Sequence, residues 1–307
     1  MPFEPCLAAG QVAPKVIMLA YVNGSLVPEE HAKVSVFDRG FLFGDGVYEM
    51  VRFFGGVGVA LDLHQARLAR SLELTGIVGF DARTLVDICA ALLEGNALTD
   101  AGIYIQITRG AGTARAHMPV PGLVPTVVAL ASRSAPLAEF HAPETLRAIV
   151  RPDMRWHRCE IKTIALAGNI LALIEAQSAG AEECILIRDG LVSEGAYTNV
   201  GIVRGGTLIT CPLDDAAAPV LHGTMRCWML EAARDAGIPV EVRRVREHEL
   251  CEADEVLVQS SRRLVSAVTE LDGVRIANGE TGPVCRALFA SMHARIHQLI
   301  LNPTSPR

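Results

Sequence analysis

The chain has 307 residues, half of them hydrophobic, with 28 basic against 34 acidic side chains and a formal charge of −6. At about 100–200 residues per domain, that length points to two domains with sizeable buried cores. Mild acidity without any Lys/Arg block excludes nucleic acid as a main partner, because binding a phosphate backbone normally leaves a basic stripe. The first residues, Met1-Pro2-Phe3-Glu4-Pro5, are acidic and broken by proline, unlike a targeting leader. The longest apolar run near them, Val16 to Val22, is strand-sized and far short of the roughly 20 residues of a membrane helix, so no membrane partner is expected. Eight cysteines (Cys6, Cys89, Cys159, Cys184, Cys211, Cys227, Cys251 and Cys285) are scattered without a C-x-x-C pair. They read as buried thiols of a cytoplasmic protein.

In chain order, Val16 to Val22 predicts a strand closed by the turn pair Asn23-Gly24. Phe41 to Phe54 reads as a second extended stretch, broken at Gly44-Asp45-Gly46. Asp62 is a candidate N-cap for a helix through Thr75 stopped by Gly76, and Asp81 caps a next helix carrying Leu85, Ile88 and Leu92. Ile103, Ile105 and Ile107 alternate with polar residues, the period of a half-buried strand. A glycine-rich turn from Arg109 to Pro121 leads into a strand from Pro125 to Leu130. Between Ser132 and Pro143 the periodicity fails, which marks a domain boundary. A strand from Leu146 to Val150 follows, then a helix with Leu166, Ile170 and Ile174 on one face, ending at Gly180. Hairpins turn at Asp189-Gly190 and Gly205-Gly206. A helix from Gly223-Thr224 to Gly237, strands from Val240 to Val245 and Glu255 to Gln259, and a terminal helix complete the chain.

Nucleotide-binding loops are missing, since Gly56-Val57-Gly58 lacks a third glycine and no lysine-bearing phosphate loop occurs. His293 and His297 sit one helical turn apart without the glutamate of a zinc helix, and read as a solvated pair; no metal is expected. Lys162, between apolar Ile161 and an apolar helix, is either a surface lysine at a strand end or an amine with the lowered pKa that Schiff-base chemistry needs. Glu194, on the far arm of the Asp189-Gly190 hairpin, is either a solvated charge or an acceptor for a pyridinium N–H. The free N–H groups at Gly223-Thr224 make an ordinary helix start or a phosphate cradle. Arg115-Ala116-His117 is a solvated basic pair or a carboxylate clamp.

Taken together, four segments resemble the fold-type IV (class IV) pyridoxal-phosphate aminotransferases, and within them the D-amino acid aminotransferases. They are Asp38-Arg-Gly-Phe-Leu-Phe-Gly-Asp-Gly-Val-Tyr48-Glu, Tyr104-Ile-Gln-Ile-Thr-Arg-Gly with Arg115-Ala-His117, Arg155-Trp-His-Arg-Cys-Glu-Ile-Lys162, and Val192-Ser-Glu194-Gly with Asn199-Val. The resemblance runs from about Tyr21 to Gly273, and its Arg-x-His element favours the D-amino acid branch. It implies an α/β (α+β) two-domain fold: an N-terminal extension (1–20), a small α/β domain (21–135), a linker (136–145) and a large cofactor-binding domain (146–307).

The same resemblance implies pyridoxal 5'-phosphate as cofactor, with Lys162 as its Schiff-base partner and catalytic base and Glu194 on its ring nitrogen. Arg67, Thr224, Met225, Ser260 and Ser261 would hold its phosphate. Tyr48 would line the substrate pocket, and Arg115 with His117 would clamp the substrate carboxylate across a homodimer. The implied reaction is D-alanine with 2-oxoglutarate giving pyruvate and D-glutamate. A branched-chain L-amino acid aminotransferase and 4-amino-4-deoxychorismate lyase are the alternatives, both disfavoured by the clamp. Tyr197, Arg262, Arg263 and His222 depart from the family pattern, and Tyr197 with the basic pair would narrow the pocket or favour acidic substrates.

Overall fold

A computed structural model describes residues 18–302. Strands β1 (Leu19–Val22) and β2 (Ser25–Pro28) turn at Asn23-Gly24, both with positive φ. Then come α1 (Arg39–Phe43), β3 (Gly46–Phe54), β4 (Val57–Gly58), α2 (Leu61–Thr75), α3 (Leu85–Gly95), β5 (Ala101–Thr108) and β6 (Thr126–Arg133). The six strands form an antiparallel sheet in the order β2-β1-β6-β5-β3-β4. Ile103, Ile105 and Ile107 are buried, as their alternation predicts, in one core with Leu68 and Leu72 of α2 and Leu85, Ile88 and Leu92 of α3.

The chain continues through β7 (Thr145–Pro152), α4 (Ala167–Ser178), β8 (Glu183–Arg188), β9 (Leu191–Gly195), β10 (Asn199–Arg204) and β11 (Thr207–Thr210). It ends with α5 (Thr224–Asp235), β12 (Val240–Val242), β13 (Glu255–Ser260), β14 (Leu264–Leu271), β15 (Val274–Arg275) and α6 (Pro283–Leu301). These nine strands make a second sheet along the path β12-β11-β10-β13-β14-β7-β8-β9, with β15 beside β14. β7 runs parallel to both of its neighbours. One core packs α5 and α6 onto the sheet through Trp228, Met229, Leu288 and Met292 against Leu257 and Val265, while Ile202, Val256 and Val258 belong to a second core.

Several local expectations change. Phe41 to Phe43 are helical, because the Asp38 carboxylate accepts the Gly40 N–H at 2.8 Å and starts a turn. Helix α2 starts one residue before Asp62, after Ala60 at φ 51°, which leaves Asp62 in the first turn where its charge suits the helix dipole. Its stop at Gly76 is as expected, with φ 62°. Asp81 caps a single 3-10 turn, Ala82–Thr84, that runs into α3. Strand β14 is unanticipated: its first five residues are all buried, so it lacks alternation. On α4, Ile170, Leu171 and Ile174 face outward instead of into a core, and only Ala176 is fully buried. Val16, Ile17 and most of the 1–20 extension lie outside the described residues. Among the described residues no helix is long and apolar enough to cross a membrane.

Candidate active site

A cavity of about 500 Å3 is lined from both sheets, by β3 and α2 on one side and by β9, α5 and the end of β13 on the other. Lys162 reaches it because its segment lies across β3: the Tyr48 N–H donates to the Lys162 carbonyl at 2.9 Å, and the Ile164 N–H to Gly46 at 3.1 Å. The Lys162 Nζ sits 4.1 Å from the centre of the Tyr48 ring.

Glu194, the last residue but one of β9, is buried at the cavity wall with three acceptor directions of its carboxylate taken. Oε1 pairs with Arg155 Nη1 at 2.5 Å, and Oε2 accepts the Leu221 N–H at 2.9 Å and the Asn199 amide at 3.1 Å. Burial pushes its carboxyl pKa up, against the charge and hydrogen bond of Arg155 and the Leu221 N–H. Arg155 stays a cation: burial lowers its pKa, but Glu194 and Asp153 together carry it upward. Asp153 holds Arg155 at 2.9 Å, and also takes Arg188 and the Ser193 hydroxyl at 2.9 Å each.

Opposite lies a polar group under the start of α5. Arg67 makes a two-pronged pair with fully buried Glu49 (2.8 and 2.7 Å) and donates to the His222 carbonyl at 3.0 Å. Burial raises Glu49, but the Arg67 charge and hydrogen bonds and His64 hold it at about 2. His64 lies 2.6 Å from Glu49 through Nδ1, and its Nε2 faces the Thr224 and Ser261 hydroxyls at 3.3 and 3.5 Å. Helix α5 has no side-chain cap, so its first N–H groups, those of Thr224 and Met225 among them, lack intrahelical partners. The Ser260 hydroxyl beside them is buried with no hydrogen-bond partner among the described residues.

Lys162, Glu194, Arg67, Thr224, Met225, Ser260, Ser261 and Tyr48 therefore line one cavity. Arg115 and His117 do not: both are exposed, on the loop after β5, packed around the Phe43 ring at 5.2 and 5.6 Å. Tyr197 and Arg262 line the cavity too, whereas Arg263 is turned to an ion pair with Glu144. Sequence reasoning gave no role to Glu49, His64, Arg155 or Asn199. Glu49 had a signal, since it shares the buried parity of β3 with Val47 and Val51. No cluster of His, Cys, Asp and Glu among the described residues is arranged for a metal, and His293 rests against the Leu137 carbonyl. The arrangement suits a ligand with an anionic end at α5, a protonatable ring nitrogen at Glu194 and a carbonyl facing Lys162.

The family described as amino-transferase class IV matches residues 46–271. The D-alanine aminotransferase of Bacillus licheniformis is 37% identical over 282 residues, covering 91% of this chain and 97% of that one. Among solved structures, the branched-chain aminotransferase of Thermoproteus uzoniensis with norvaline superposes with a TM-score of 0.81 at 26% identity, covering 94% of this chain and 96% of that one. A T.th. branched-chain amino acid aminotransferase solved with pyridoxamine 5'-phosphate gives 0.82 at 25% identity, covering 91% and 94%.

Proposed function

The chain belongs to the class IV aminotransferases, with pyridoxal 5'-phosphate as cofactor, and from that premise we propose that it transfers the amino group of a D-amino acid such as D-alanine to 2-oxoglutarate, giving pyruvate and D-glutamate. Its two-sheet α+β architecture is the fold-type IV arrangement. When bound, the cofactor supplies the electron sink that acidifies the substrate Cα–H. The residues fit it. The unpaired Ser260 hydroxyl, the Ser261 hydroxyl, the uncapped N–H groups of Thr224 and Met225, and Arg67 would take its phosphate. Glu194, already bonded to Arg155, Asn199 and Leu221, would hold the proton on the ring nitrogen. Lys162 would be the base that takes the proton from the substrate Cα and delivers it to the cofactor's carbonyl-derived carbon, on the far side of the transferred nitrogen, and the Tyr48 ring bounds the space around its Nζ.

Stereochoice then depends on which face of the substrate meets Lys162, so the carboxylate must be gripped from one fixed side. Arg115 and His117, absent from their own chain's cavity, reach the cavity of a second copy in a homodimer. The observation that carries the D-amino acid reading is the presence of this basic pair in a chain 37% identical to a D-alanine aminotransferase over 91% of its length. The seven cysteines of the described residues are all free thiols, which supports a cytoplasmic location.

The test is the absorbance of the bound cofactor after adding D-alanine, or separately L-leucine, with no acceptor present. Bleaching by D-alanine alone is expected. Bleaching by L-leucine alone would move the chain to the branched-chain enzymes and leave Arg115 and His117 without this role. A chromophore that neither amino acid changes would turn attention to the lyase. Lys162→Ala should abolish the exchange, and a variant that still transaminates would overturn the assigned base.

A further inference from the structure

We propose that Arg39 is a positioning residue for substrate recognition: its guanidinium holds the loop that carries Arg115 and His117. The loop from Arg109 to Pro121 has no regular structure. Its stem is tied by backbone bonds, from the Arg39 N–H to the Gly110 carbonyl (3.0 Å) and from the Gly112 N–H to the Phe37 carbonyl (3.3 Å). From Thr113 to Met118, among the described residues, the only hydrogen bonds are those that Arg39 donates. Nη1 reaches the Ala116 carbonyl at 2.7 Å and Nη2 the His117 carbonyl at 2.8 Å. The two carbonyls belong to the middle and last residues of the Arg-x-His element, so one rigid fork fixes the backbone that aims both side chains.

The fork is itself aimed. Arg39 is buried, and its Nε donates to Asp45 at 2.7 Å. The same Asp45 carboxylate takes Arg109, where the loop leaves β5, at 2.8 and 2.9 Å. Burial raises the Asp45 pKa, but the hydrogen bonds and charges of Arg109 and Arg39 bring it below the usual carboxylate range, so the bridge is charged. Phe43, on the same short helix, receives the Arg39 and Arg115 guanidinium groups at 4.9 and 5.2 Å from its ring centre. A glutamine or lysine at position 39 cannot span two carbonyls and a carboxylate at once.

The inference rests on the reading of Arg115 and His117 as the carboxylate clamp, and the experiment separates the two. Holoenzymes carrying Arg39→Lys, Arg39→Gln and Arg115→Ala are compared with the parent for KM and kcat with D-alanine, cofactor absorbance, melting temperature, and trypsin cleavage after Arg115. Both Arg39 variants should raise KM about ten- to hundredfold, as expected for a displaced binding group, with kcat changed less than about threefold. They should keep the cofactor spectrum and be cut faster after Arg115. An unchanged KM in both, beside a raised KM in Arg115→Ala, would overturn the role of Arg39 and leave the clamp standing. An unchanged KM in Arg115→Ala would overturn the clamp reading, and with it Arg39 as a substrate-positioning residue. Should the Arg39 variants not fold, Asp45→Asn removes the carboxylate that aims the fork and makes the same comparison. Unchanged KM and cleavage in that variant would equally count against the proposal.

Discussion

Burial alone would raise the carboxyl pKa of Glu49, yet Arg67 and His64 hold it at about 2, below its ordinary 4.5. A depressed folded-state pKa stabilises the fold above the unfolded value and loses that stability as pH falls, here between about 4.5 and about 2. Glu49→Gln leaves the buried Arg67 cation without its partner, and should cost about 3–5 kcal/mol near neutral pH. Urea unfolding should show the difference shrinking as acid is added, and a gap independent of pH would refute the assignment. Glu183 behaves in the opposite sense. No cation pairs with it among the described residues; it accepts the Cys184 and Ala196 N–H groups and the Thr198 hydroxyl, and burial raises it from 4.5 to about 7. The folded chain therefore keeps a proton that the unfolded chain has released, so stability declines as pH rises from about 4.5 and the loss is complete above about 7. A glutamine can accept both N–H groups and donate to Thr198, so Glu183→Gln should melt at the parent's temperature in acid and above it in mild alkali. Parallel melting curves across that range would mean the carboxyl is not protonated in the fold.

At the start of α5, conformation and chemistry meet in one glycine. A Cβ on Gly223 would lie 1.8 Å from Asn199 Oδ1, and the Asn199 amide is one of the donors that hold Glu194. Gly223→Ala must push Asn199 aside, which disturbs Glu194, the proposed ring-nitrogen acceptor, and the proposed phosphate cradle together. We expect cofactor affinity to fall by about tenfold or more, with a stability loss of about 1–3 kcal/mol from overpacking. Titrating the cofactor-free protein with cofactor reads the first, and undiminished affinity would show that the helix start tolerates the shift. This element was legible in the sequence because Gly223 and Gly237 punctuate an amphipathic helix. Lys162 and Glu194 were legible as motif members, although no local pattern brings them to one cavity; the pairing of the Lys162 segment with β3 and the place of β9 in the second sheet do that. Strand β14 hid because burial on both faces erases alternation. The roles of Arg155, itself a motif member, and of His64 were hidden for another reason: neither can be assigned until the carboxylates they contact, Glu194 and Glu49, are placed.

At the scale of the whole molecule, the cavity is walled by both sheets while the basic loop takes no part in its lining, so on the proposed reading one chain holds the groups for the cofactor but lacks its own carboxylate clamp. Apolar side chains left outside point to what completes it. Phe41 of α1 is 72% exposed, Leu171 of α4 is 67% exposed with Ile170 and Ile174 beside it, and Met154 at the cavity is 85% exposed. Phe41 and the residue just before α4, Leu166, share one hollow with Val34 and Ile164, so these surfaces are neighbours. An apolar surface of this kind is what a two-fold contact buries. If it does, glutamates at Leu171 and Ile174 should give a monomer by sedimentation, with the cofactor spectrum kept and KM for D-alanine raised, because Arg115 and His117 are then lost from the neighbouring cavity. A monomer with unaltered KM would show that the clamp closes within its own chain. A dimer that survives both substitutions would move the contact away from α4.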